Sequence, residues 1–363
     1  MGACATTCEN QPFNYGNKDP GLGDELKRGA NLLAQFYKVH LTFCDDIGEV
    51  WKVKNKVTSA TYSMHERSKN LLYQRKEHLL IIKENRILQK LNSPSIINIK
   101  YACQDQYSLI MITDPIHSRL SYHIKQNRAF TEDQIKYVTA SLILALEYIH
   151  SKQIIHRDIR PENVVFDSAG KVKLTHFWLA REYDENIDNS IDQTGTNGYM
   201  APEVLFKKPQ GYQVDYYGLG IVLYELAALS KLFEGTNMEI TKRIEFLDVL
   251  NRRELTSKCS AKMVRFISQL LKFDPKERLG LSVDEVKGHE WFEGFDWKGI
   301  GKKEGGLKSV IGEEETESLR VDREGMNERE RNRMISQNLY IGYQYGLEES
   351  VESQLKKNAI HLI

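Results

Sequence analysis

The segment Ile155-His156-Arg157-Asp158-Ile159-Arg160-Pro161-Glu162-Asn163 limits what this chain can fold into more than any other stretch. It is a polar run set between two apolar elements. Before it, Thr131-Glu132-Asp133-Gln134 has the form of a capping box and opens a helix whose apolar stripe includes Val138, Leu142, Ala145 and Ile149. After it comes Val164-Val165-Phe166. Upstream, the alternation of Tyr37 to Phe43, the run Gly48 to Val53 and the stretch Ala60 to Met64 predict successive antiparallel strands, and Tyr107 to Thr113 predicts another. Between them, Glu77 to Leu91 predicts a helix with apolar residues 80, 81, 87, 88 and 91 near one face, stopped at Asn92-Ser93-Pro94. Further helices are expected through Tyr216 to Leu229 and Lys262 to Lys272. A strand-rich first third ahead of a helix-rich body predicts an α+β chain of two lobes with a cleft between them. The expected divisions are an N-terminal segment over 1–36, with a linker from residue 9 to about 35, a β-rich N-lobe over 37–114, a mostly helical C-lobe over 115–297 and a charged tail over 298–363. Within the tail, Glu313 to Arg333 reads as a solvated helix or disordered arm.

Composition narrows the function classes. Lys plus Arg and Asp plus Glu are 50 each, so no global attraction to nucleic acid is implied and no nucleic-acid partner is expected. With 363 residues and 41% hydrophobic content, the chain can build a sizeable core. Its longest apolar stretch, Gly218 to Ser230, is too short for a bilayer and contains Glu225, and the first thirty residues lack the pattern of a signal peptide. A cytosolic protein is expected. The five cysteines suggest neither a disulfide framework nor a structural zinc site. The opening Met1-Gly2-Ala3-Cys4-Ala5-Thr6-Thr7-Cys8 fits N-myristoylation of Gly2, with Thr6 at the hydroxyl position. One such chain binds membranes only marginally, and Cys4 and Cys8 supply a second signal as palmitoylated thiols. The protein is therefore expected on the cytosolic face of a membrane.

The polar run holds a histidine, an aspartate and, five residues after the aspartate, an asparagine. Downstream stand Gly195-Thr196-Asn197-Gly198-Tyr199-Met200-Ala201-Pro202-Glu203, then Asp215 and Gly220, then Arg278 within Asp274-Pro275-Lys276-Glu277-Arg278-Leu279. With these motifs in order at the usual spacing, the chain resembles the eukaryotic protein kinases over residues 37 to 297. The resemblance implies the bilobal kinase fold, with Asp158 accepting the substrate hydroxyl's proton and Asn163 holding magnesium. It also implies a buried Glu203–Arg278 ion pair, a structural role for Asp215, and a column of Leu88, Ile99, His156 and Phe177 linking the lobes. Thr196 is of the serine/threonine type. The closing His289 to Trp297 looks like the end of the AGC-group domain, and the small acylated YANK kinases of that group begin similarly. Asp192 falls where AGC kinases are phosphorylated; it is either a built-in charge for Arg157 or an exposed residue of an acidic loop with Asp184, Glu185 and Asp188.

Several ATP-handling positions depart from the family. The glycine-rich loop maps to Phe43 to Val50, yet only Gly48 remains, and Asp45 and Asp46 place carboxylates where phosphates would lie. The third-strand lysine is replaced in Ser63-Met64-His65, which is expected to leave the helix glutamate Glu84 without its partner. The magnesium motif has become His176-Phe177-Trp178, and imidazole is a poor ligand for a hard cation. His65 and His176 lack a third ligand for a transition metal. Lys52 shares a strand face with Val50, and a cleft lysine is weighed against one paired with Asp45 and Asp46. The tail is read as lacking the aromatic hydrophobic motif expected of AGC kinases. These losses lead to the expectation of a catalytically inactive, membrane-tethered pseudokinase that acts as an interaction, scaffold or allosteric module. Its partners would be an active kinase or a scaffolded assembly, and it would need no cofactor. The alternatives are an active serine/threonine kinase with rewired ATP contacts, using ATP and Mg²⁺ at Gly48, Val50, His65, Glu84 and His176, and a structural component of a larger cytosolic assembly.

Overall fold

The structure, a computed structural model, describes residues 22–45, 48–184, 191–245, 247, 249, 253–300, 307, 311–312, 314–316 and 343. Helix α1 (Leu22–Leu33) precedes five strands, β1 (Phe36–Asp45), β2 (Gly48–Asn55), β3 (Thr61–Ser68), β4 (Ile99–Gln104) and β5 (Ser108–Thr113). They form one antiparallel sheet in the order β1-β2-β3-β5-β4. Short α2 (Lys69–Gln74) and α3 (His78–Gln89) interrupt it. Strand β4 escapes a period-two reading because all but one of its residues is buried, so polar and apolar residues do not alternate. The reason is α1, which covers the sheet at β4. Leu32 and Phe36 pack there with Val53, Met64, Tyr101 and Cys103. Gly29 permits the approach, since a Cβ at that position would lie 2.6 Å from the Gln104 carbonyl oxygen. The expected linker is thus corrected over its second half, where 22–33 is a helix with a packed apolar face.

The helical lobe begins after β6 (Ser118–Arg119) with α4 (Leu120–Lys125) and α5 (Glu132–Ser151). The Thr131 hydroxyl accepts from the Gln134 N–H and the Gln134 side chain returns the bond, closing the capping box. Beyond α5 lie β7 (Ile154–Ile155), β8 (Val164–Phe166), β9 (Val172–Leu174) and β10 (Arg181–Glu182), then α6 (Pro202–Leu205) and α7 (Gln213–Ala228). Every residue of α7 from Val214 to Ala228 is buried, so this helix is the lobe's axis. Helices α8 (Asn237–Ile244), α9 (Arg253–Thr256), α10 (Ala261–Leu270) and α11 (Val283–Lys287) surround it. Leu88, Ile99, His156 and Phe177 are all buried, and the His156 and Phe177 rings meet edge to face at 4.7 Å. Among the described residues no helix is long and apolar enough to cross a membrane.

Part of the tail is packed; of the segment Glu313 to Arg333 read as a solvated arm, only 314–316 lie within the described residues, and there Glu315 is buried. Leu307, Ile311, Glu315 and Tyr343 are buried. The Glu315 N–H donates to the His117 carbonyl at 3.0 Å, and Asn85 donates to the Tyr343 carbonyl at 2.5 Å. Residues 340–345 read Tyr-Ile-Gly-Tyr-Gln-Tyr, and the aromatic at 343 is fully enclosed.

Arg278 is completely buried and forks onto Glu203, Nη1 to Oε1 at 2.7 Å and Nη2 to Oε2 at 2.8 Å. Carbonyls of Lys272, Phe273 and Gln213 accept its remaining N–H bonds. Removing one partner strands a buried charge, so Glu203→Ala is expected to lower stability by about 3–5 kcal/mol in urea unfolding at neutral pH.

Candidate active site

The polar run lies between β7 and β8, and Asp215 at the start of α7 fixes its path. The Asp215 carboxylate accepts the backbone N–H of His156 at 2.9 Å and of Arg157 at 2.7 Å, and His150 Nε2 approaches it at 2.8 Å. Burial alone would raise this carboxyl, but His150 and the His156 N–H hold it below its ordinary value. The arrangement keeps Arg157 at φ 66°, a left-handed conformation uncommon for a residue with a side chain. The turn places the buried Asp158 carboxylate beside Thr196 and Asn163. Its Oδ1 accepts from the Thr196 hydroxyl at 2.6 Å, and its Oδ2 accepts from Asn163 Nδ2 at 2.8 Å. Arg160 Nη1 donates to the same Thr196 oxygen at 3.1 Å. The carboxylate is thereby fixed in rotamer and kept an acceptor.

Both readings of Asp192 meet in the structure, where the residue is exposed and paired. Arg157 Nη1 meets Asp192 Oδ2 at 2.8 Å, while Arg157 Nε donates to the Leu179 carbonyl at 2.7 Å. Lys83 and Arg181 face the same spot; burial and the Arg157 charge hold both below their ordinary pKa, and Asp192 opposes that shift. The segment leading to Thr196 is tied down by a fixed negative charge.

Next to Asn163, which donates to Asp158, a cleft of about 450 Å³ is lined by Phe43 and Cys44 from β1, Arg119, Lys125, Asn163, His176 and Trp178, among others. Phe43 is buried, with the Arg119 guanidinium 3.9 Å over its ring, so the first glycine position of the loop is filled by a side chain. Gly48 has its own reason: a Cβ there would lie 2.0 Å from the Glu66 carbonyl oxygen on β3. Val50 is fully buried. His65 points from β3 to within 3.2 Å of the Thr113 hydroxyl. Glu84 is not left without a partner, because its Oε1 accepts the Phe177 N–H at 2.8 Å. His176, at φ 67°, stacks on Trp178 at 4.6 Å. Lys52 engages a carboxylate, that of the tail residue Glu314 at 2.6 Å; Asp46 and the Asp45 side chain lie outside the described residues. Gly2, Cys4 and Cys8 lie outside them too, as do Glu185 and Asp188.

Arg67 was legible in the sequence but not singled out. It follows His65 by two residues and so shares its face of β3. Its guanidinium lies 5.6 Å over the Trp178 ring, and its Cδ passes 3.0 Å from where a Gly48 Cβ would be.

Residues 46–292 match the family described as the protein kinase domain. This chain belongs to that family. The chain is 33% identical over 261 residues to the serine/threonine-protein kinase AtPK1/AtPK6 of Arabidopsis thaliana, covering 71% of this chain and 55% of that one. It is 31% identical over 301 residues to the RAC family serine/threonine-protein kinase homolog of Dictyostelium discoideum, covering 81% and 65%, and 34% identical over 272 residues to the serine/threonine-protein kinase SCH9 of Candida albicans, covering 72% and 34%. The chain spans about half the length of the first curated relative. These similarities make the kinase AGC-like. They also overturn the expectation of a catalytically inactive homologue, since each of these relatives carries the name of a serine/threonine-protein kinase. In physical terms that expectation weighed the altered ATP positions and gave too little weight to the intact setting of Asp158.

The kinase's active-site floor continues to Tyr199, whose hydroxyl donates to Glu225 at 2.9 Å, with Arg160 6.0 Å from the Tyr199 ring centre. Burial pushes the Glu225 carboxyl up to about 7, against the Tyr199 hydrogen bond, and the Glu162 charge adds to the rise. The folded state then holds a proton that the unfolded chain releases between its ordinary 4.5 and about 7, so stability falls as pH rises through that window. Glu225→Gln is expected to melt like the parent below pH 4.5 and to be more stable by about 3 kcal/mol above pH 7, measured by thermal unfolding across pH.

Proposed function

We propose that this kinase transfers a phosphoryl group from a nucleoside triphosphate to serine or threonine hydroxyls of proteins, using rewired nucleotide contacts, and that N-terminal acyl groups hold it at a membrane. The observation that carries the reading is the Asp158 carboxylate gripped by Asn163 and Thr196, with Arg160 beside it. A substrate hydroxyl that donates to Asp158 is oriented in the cleft, and Asp158 takes its proton as the oxygen bonds to phosphorus. Arg160 keeps positive charge next to that transfer. Arg67, on the His65 face of β3, supplies the cation that the third-strand lysine gives elsewhere in the family.

Magnesium is implied by the family, and the residues present do not fit it. Asn163 offers an amide oxygen, but the second position is the His176 imidazole stacked on Trp178. Among the described residues no three His, Cys, Asp or Glu side chains converge on a metal position.

Labelled phosphate transfer to a serine-containing peptide tests the reading. Asp158→Asn is expected to lower turnover by about 10²- to 10⁴-fold with stability retained, and Arg67→Gln to raise the KM for ATP about tenfold. Transfer that Asp158→Asn leaves unchanged overturns the assignment. Support for the membrane tether is the pattern at Gly2, Cys4 and Cys8. Gly2→Ala is expected to abolish myristate incorporation and move the protein to the soluble fraction, whereas Cys4→Ser with Cys8→Ser leaves weak, exchangeable attachment.

A further inference from the structure

The misfit with magnesium has a counterpart in the charges of the cleft. Its walls carry Arg75, Arg119, Lys125 and Arg160 against the carboxylates Glu77 and Glu162. Arg119 is held from outside the cleft by the tail: its backbone N–H and Nε donate to Glu315 at 2.9 and 3.0 Å. Arg160 is fixed by Thr196 and by Glu162, 3.1 Å away. Lys125, exposed at the end of α4, has no ion-pair partner among the described residues. The Trp178 indole N–H in the same cleft is buried and, among the described residues, has no acceptor. The cleft thus offers preset cations and an orphan donor, the partners that phosphate oxygens accept, and no carboxylate set for a hard metal.

We infer that the cleft binds a nucleoside polyphosphate in its metal-free form, with guanidinium and ammonium groups balancing the charge that magnesium balances in other members of the family. The inference rests on the proposed kinase reading and deepens it by naming the ionic form of the donor. A fully ionised triphosphate carries more negative charge than its magnesium complex, so a cationic cleft without metal ligands favours the former. Arginine forks also fit phosphate geometry without the dehydration that magnesium requires.

Calorimetric titration of the full chain with ATP, once in EDTA and once in excess MgCl₂, tests this independently of turnover. Binding in EDTA is expected to be at least as tight as in magnesium, inorganic tripolyphosphate is expected to compete, and Lys125→Ala is expected to weaken binding in EDTA about tenfold. Lys125 is a surface residue outside the catalytic group, so this variant is expected to keep the parent melting curve. ATP affinity tenfold or more higher in magnesium than in EDTA overturns the inference, as does a Lys125→Ala affinity equal to the parent's. Binding in EDTA without any phosphate transfer supports the inference and counts against the kinase reading. Transfer that needs magnesium, with no binding in EDTA, does the reverse. Absence of ATP binding in both conditions overturns both.

Discussion

One buried carboxylate sets the geometry on which the site depends. Asp215 accepts two consecutive backbone N–H groups, those of His156 and Arg157, and so determines where the polar run turns. With that turn in place, Arg157 reaches Asp192, His156 completes the column with Phe177, and Asp158 faces Thr196 and Asn163. An anion that is fully enclosed and hydrogen-bonded on several sides has little freedom to move. The strain of Arg157's left-handed backbone is sustained by that enclosure.

Around this rigid floor the upper wall of the cleft has been rebuilt with large side chains. Phe43 occupies a glycine position, Trp178 another, and His176 lies flat on Trp178. Phe43 puts ring surface at a phosphate-loop position, His176 and Trp178 put it in the magnesium motif, and arginines sit over two of the rings, Arg119 on Phe43 and Arg67 on Trp178. The aromatic faces hold the guanidinium groups in place, since each ring attracts a cation to its face.

Much of this was legible in the sequence, because the elements that carry the fold follow strong local rules. The Thr131 capping box, the alternating strands around β2 and β3 and the Glu203–Arg278 pair each follow from a motif or a period. What escaped has physical reasons. Strand β4 is buried on both faces and so shows no alternation. Helix α1 is a short amphipathic element in a polar, glycine-bearing stretch, and its packing against β4 is a tertiary fact. The partners of Lys52 and Arg119 lie 262 and 196 residues away, at separations that no local pattern reports. The altered ATP positions were visible as substitutions, but Arg67 takes on meaning only when β3 is seen edge-on beneath Gly48.

The packed piece of tail changes what counts as the folded unit. Glu314 grips Lys52 on the β-sheet, while Glu315 holds both the His117 carbonyl and Arg119 at the start of the helical lobe. Neighbouring residues of one strand of chain therefore span the two lobes. The family match ends at residue 292, before any of these contacts. A chain trimmed there would keep Asp158 and its floor but lose these contacts between the lobes, and added salt would weaken the two ion pairs in the intact chain. In this chain, residues beyond the family match tie the β-sheet to the start of the helical lobe.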